Sequence, residues 1–73
     1  MRELSLAEFA ARVGRMAAED DGPDYVTWGM LGIILKHSEA FPGAPPLVRV
    51  LCDDHGELHY KLDEQRALAL GFL

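Results

Sequence analysis

The chain is poor in the residues that staple a small fold or carry chemistry. It holds a single cysteine, Cys52, so no disulfide can close within its 73 residues. A secreted domain of that size would ordinarily be bridged several times, and the expected compartment is therefore a reducing one, the cytoplasm. Serine occurs only at Ser5 and Ser38, and neither these nor Cys52 has a recognisable base and orienting acid beside it. No glycine-rich phosphate loop follows a strand-like segment. The longest charge-free apolar stretch, YVTWGMLGIIL at 25–35, falls short of the roughly 20 residues a membrane span needs. The opening MRELSLAEF lacks the basic-then-apolar layout of a secretory leader. Positive charge is scarce too: 7 basic residues face 12 acids, for a net charge of −5, which disfavours direct contact with nucleic acid or an anionic membrane. The expectation is a cytoplasmic, monomeric binding protein rather than an enzyme, with no catalytic residue, cofactor or metal.

Apolar residues are plentiful at 49%, as in ordinary globular domains, and the length suits one small domain over 1–73. The first segment carries a full helix start. Ser5 is placed to cap, Glu8 lies three residues on to complete a capping box, and Leu4 with Phe9 forms a hydrophobic staple. Phe9, Val13 and Met16 then recur at helical spacing, with Arg12 and Arg15 assigned to the wet side, and Gly22-Pro23 stops the element near Asp20. A second helix is expected from Asp24 or Tyr25 to Ala40. Its centre is apolar nearly all round, so it is expected to be the buried helix of the domain. Gly29 and Gly32 share one of its faces and are expected to allow close approach by helix one.

FPGAPP at 41–46 is a connector, and a hairpin follows. With Asp54, His55 and Gly56 as a three-residue loop and Gly56 left-handed, Val48 faces Leu62, Val50 faces Tyr60 and Cys52 faces Leu58. That register sorts an apolar face (Val48, Val50, Cys52, Leu58, Tyr60, Leu62) from a polar one, and a one-residue slip would scramble it. The tail LDEQRALALGFL reads as a short helix started by Asp63 and ended by Gly71, with Phe72 folding back. The expected fold is a small α+β domain of order α-α-β-β-α, its helices packed on one face of a two-stranded antiparallel hairpin.

The segment CDDHGELH at 52–59 looks at first like a metal site. The register argues otherwise. Cys52 turns to the core face and His59 to the outer face, and Asp53, Glu57 and His59 alone do not make the four-ligand set of a structural zinc site or the alternating oxygens of a calcium loop. His37 is expected to be a helix-terminal cation or a satisfied edge of the core.

The acids are clustered. Residues 19–24 carry four and residues 53–64 carry five. If helix one runs up, helix two down and the first hairpin strand up, then Glu19, Asp20, Asp21, Asp24, Asp53, Asp54 and Glu57 form one acidic cap, with Asp63 and Glu64 at the other end. Glu19 and Asp20 lie at the carboxyl end of a helix, where its dipole disfavours anions. Such a cap suits a protein that docks on a basic, nucleic-acid-handling surface, its carboxylates standing in for phosphates.

In size, acidity and element order, along its whole length, the chain resembles the small phage-encoded anti-CRISPR proteins, and is most similar in character to inhibitors of type I-C systems. That resemblance implies an inhibitor that blocks target-DNA recognition by a Cas surveillance complex in the host cytoplasm as a DNA mimic, with the seven carboxylates as charge donors. One alternative is a helix-turn-helix or winged-helix regulator, since SLAEFAARVG at 5–14 looks like the opening of such a domain. After Gly14, however, the chain runs into RMAAEDDGPD and an apolar helix whose only base is Lys36, instead of a recognition helix. Another alternative is an assembly domain that pairs with itself through Gly29, Gly32 or exposed Leu47 and Leu51.

Overall fold

The computed structural model describes residues 1–19 and 21–73. Along the chain run β1 (Arg2–Leu4), α1 (Leu6–Ala17), α2 (Tyr25–Ala40), β2 (Val48–Cys52), β3 (Leu58–Leu62) and α3 (Glu64–Ala69). The class is α+β. The sheet has three strands in the order β1-β2-β3, all antiparallel, where two strands were expected, and the element order is β-α-α-β-β-α. The added strand, β1, pairs Arg2 with Cys52 and Leu4 with Val50. At three residues it is too short to show alternation, and it exists because the free edge of β2 offers backbone groups that need partners.

The hairpin has the expected register, Val48 opposite Leu62 and Cys52 opposite Leu58. Its loop is closed by Gly56 at φ +81, a left-handed conformation that glycine adopts without steric cost. Ser5 caps α1 with both halves of the capping box in place. Asp24 caps α2 by accepting from the Thr27 amide, and Asp63 caps α3 by accepting from the Arg66 amide. α3 ends as expected in a Schellman turn. Gly71 has φ +83, the Phe72 amide donates to Ala67 O at 2.8 Å and the Gly71 amide to Leu68 O at 3.2 Å.

The core lies between the inner face of the sheet and the helices: Leu4, Phe9, Val13, Leu47, Val48, Val50 and Ala67. Four expectations are corrected here. The buried helix is α1, which sends Phe9 and Val13 to the centre. α2 has only Thr27 and His37 buried and leaves Tyr25, Val26, Trp28 and Leu35 exposed. Gly29 and Gly32 do not admit a neighbour, for a Cβ at either would meet nothing within 4 Å. Leu47, expected on the surface, is 1% exposed, because it closes the core where β2 begins and its carbonyl accepts from the Asp63 amide at 2.8 Å. α1 also ends at Ala17, before Glu19.

Candidate partner-binding surface

Two elements determine what lies at the hairpin end of the molecule. Leu58 and Tyr60 of β3 face the start of α2, and the Tyr60 hydroxyl and Thr27 Oγ1 are hydrogen-bonded at 2.8 Å. The Tyr60 ring also stands edge-on to Phe9, with centroids 6.0 Å apart. These contacts bring the α1–α2 connector and the hairpin tip to one end, as the up-down order requires. There Arg12, Met16, Asp24, Thr27, Glu57 and Tyr60 surround an open concavity of about 350 Å³.

Asp24 and Glu57 therefore border one depression. Glu19 and Asp21 are exposed in the connector that precedes Asp24, and Asp54 is exposed in the hairpin loop. Asp20 belongs to the same expected group but lies outside the described residues. Among the described residues, the ion pairs of 4.0 Å or less leave Glu19, Asp21, Asp24, Asp54 and Glu57 unmatched, and elsewhere Glu39 and Glu64. The pairs that do form are Arg2–Glu8, Arg49–Glu3, Arg66–Asp63 and His59–Asp53.

Asp53 has a different role from the other six. Its Oδ1 accepts from the amides of His55 and Glu57, both at 2.9 Å, and its Oδ2 sits 2.8 Å from His59 Nε2. The His59 contact, then the Glu57 amide, holds its carboxyl below the usual aspartate range. A lowered native value means that its contribution to stability is present above the ordinary aspartate range and is lost as pH falls through the native value. Asp53 thus organises the hairpin tip. The Thr27 amide likewise lowers the Asp24 carboxyl, its first cause, but Asp24 is exposed and keeps one oxygen free of that bond. Asp53, Glu57 and His59 can bring one ligand atom each within 4.8 Å of one another. The Asp53 and His59 atoms are, however, already engaged with each other.

Arg12 was not expected here. It was placed on the wet side of α1, yet it is half-buried, donating through Nη2 to the Gly56 carbonyl and through Nη1 to Cys52 Sγ at 3.4 Å. It ties α1 to the hairpin tip and sets one positive charge inside the acidic rim. The signal was present in the spacing: 9, 12, 13 and 16 are one helical stripe, and Arg12 sits on it with Phe9, Val13 and Met16.

His37 also departs from expectation. It is 4% exposed, its Nε2 has no hydrogen-bond partner, and its ring lies against Phe41 and Phe72 with centroids 5.5 and 5.8 Å away. It lies in the last turn of α2 but is not the satisfied edge of the core that was expected.

The outer side of α2 carries Tyr25, Val26, Trp28 and Leu35, with Lys36 as its only base. Such a face offers little to a phosphate backbone, which attracts lysine and arginine. No α-helix of the described residues is long and apolar enough to cross a membrane. Comparison with protein-family models, curated proteins and solved structures finds no match to this chain.

Proposed function

We propose that this protein is an acidic protein-binding inhibitor whose hairpin end docks on a basic, nucleic-acid-binding surface and excludes the nucleic acid. What supports this reading is the set of unmatched carboxylates in the connector, at the start of α2 and in the hairpin loop, Glu19, Asp21, Asp24, Asp54 and Glu57, of which Asp24 and Glu57 border one concavity. Fixed carboxylates close together attract a lysine- and arginine-rich groove and accelerate encounter with it. The capped helix start holds Asp24 and the hairpin turn holds Glu57, so part of this charge is positioned before binding, which lowers the ordering cost of association. Asp20 belongs to the same acidic run by sequence. Asp53 supports the surface by fixing the hairpin tip.

The resemblance to anti-CRISPR proteins supplies the partner: a Cas surveillance complex of type I-C, blocked at target-DNA recognition. The reading needs neither a catalytic residue nor a cofactor. The test is to titrate the protein into a type I-C surveillance complex with labelled target duplex, at low and at physiological salt. The expected result is loss of duplex binding that weakens as salt rises. Duplex binding unchanged at both salt concentrations would remove this partner and the inhibition with it.

A further inference from the structure

The side of α2 that points away from the core is apolar and uncovered. Tyr25 is 92% exposed, Trp28 49% and Leu35 48%. Together with Gly29 and Gly32 they form one stripe, because residues three and four apart on a helix are neighbours. Aromatic side chains present about 150–250 Å² each, so Tyr25 and Trp28 leave roughly 300 Å² in water. Leu35 adds about 100 Å². A patch of that size matches the largest on a typical monomer, which is often a functional one.

The glycines sharpen the point. Both weaken the helix relative to alanine, yet a Cβ at either would meet nothing within 4 Å. No contact inside the chain explains them. Their absent side chains make a shallow saddle at the middle of the stripe, open to a backbone that comes from outside.

We propose that the occupant is a second copy of this chain, its α2 packed antiparallel across Gly29 and Gly32. The stripe is complementary to itself under a two-fold axis, as a closed dimer requires. Tyr25 and Trp28 stand on one side of the saddle, and Leu35 and Lys36 on the other. Turning the partner end for end lays the aromatic rings over Leu35 and the lysine stem. Charge selects the same direction. Asp24 flanks the aromatic end and Lys36 the other, so an antiparallel copy brings each Lys36 to its partner's Asp24, whereas a parallel copy sets like charges together. Glu39, one turn beyond Lys36, comes opposite the connector before the partner's helix, where it offsets part of this attraction.

The area fits such a dimer. The apolar centre of about 400 Å² is about half of the roughly 800 Å² that a standard interface takes from each partner, and charged residues supply the rim. The pairing is therefore concentration-dependent rather than obligate. The pairing draws Asp24 toward the partner's Lys36 and so competes for one carboxylate of the proposed inhibitory surface, whereas Glu57 lies on the hairpin side of α2 and stays uncovered; the dimer replaces the monomer expected from sequence.

Sedimentation of the full chain from micromolar to millimolar concentration, at physiological salt, tests this. The expected result is a monomer–dimer equilibrium whose dissociation constant rises at least about tenfold in Tyr25→Ala and in Gly32→Leu. Lys36→Glu weakens it further at low salt than at high salt. Circular dichroism confirms that the variants keep the native helix content. A chain that stays monomeric over the whole range would overturn the proposal, as would a dimer whose dissociation constant none of these changes moves.

Discussion

α1 and α2 divide the work of the fold in the reverse of the order their compositions suggest. α2 is the longer and more apolar helix, yet only Thr27 and His37 on it are fully buried. α1 is mixed with charge and supplies Phe9 and Val13, two of the most deeply buried side chains. Phase, not apolar content, decides the difference. α1 has one apolar stripe and one polar side, and the capping box joins it directly to β1, so its rotation against the sheet is fixed. α2 is apolar on all sides, and any rotation would bury some of it. The sheet has room for one side only, where Met30, Leu31, Ile33 and Ile34 pack against the core. The other side remains in water. An amphipathic helix is matched to a one-sided core, whereas an apolar one in so small a domain leaves a surface over.

Substitutions in the two helices should therefore differ in size and in sign. Phe9→Ala in α1 should cost about 3–5 kcal/mol. A domain of this length holds only about 4–11 kcal/mol in all, so urea denaturation should find this variant largely unfolded. If it unfolded like the wild type, α1 would not be the core helix. Ser5→Ala, which removes the cap that sets the phase of α1, should cost about 1 kcal/mol by the same measurement. The opposite sign is expected in α2. Gly29→Ala and Gly32→Ala should each raise the stability of dilute, monomeric protein by up to ~1 kcal/mol. A loss at either position in thermal melts would mean that a neighbour occupies the space after all. The smallest change is expected at Tyr25, where alanine should move monomer stability by no more than about 0.5 kcal/mol.

The parts of the fold legible in the sequence were those that local chemistry determines. Ser5 with Glu8 announces α1, Gly56 with the alternation around it fixes the hairpin register, and Gly71 with Phe72 ends α3. What escaped depended on tertiary partners. β1 is three residues whose strand character comes from the edge of β2. The burial of Leu47 comes from its place where β2 enters the core. The outward face of α2 could not be phased from a pattern without a polar side, and His37 could not be known to lack a partner. Of the candidate surface, the clustering of acids was visible as charge runs. The separate duty of Asp53, bound by two amides and His59, and the presence of Arg12 inside the rim required coordinates.

Leaving aside Asp53, paired with His59, and the unpaired Glu39 and Glu64, the described acids fall into two groups. Glu3, Glu8 and Asp63 are each matched by an arginine, and such exposed pairs contribute little beyond local order. Glu19, Asp21, Asp24, Asp54 and Glu57, of the connector, the start of α2 and the hairpin loop, are unmatched among the described residues. The proposed function depends on the second group and not on the first. The most direct test is to compare two variants of equal charge change, Glu19→Lys with Asp21→Lys, Asp54→Lys and Glu57→Lys at the hairpin end, and Glu3→Lys with Glu8→Lys, Glu39→Lys and Glu64→Lys elsewhere. Each is titrated, after its fold is checked, into the surveillance complex with labelled duplex. Loss of inhibition in the first variant, with inhibition kept in the second, is the predicted result. Equal inhibition by both would contradict a binding surface at the hairpin end.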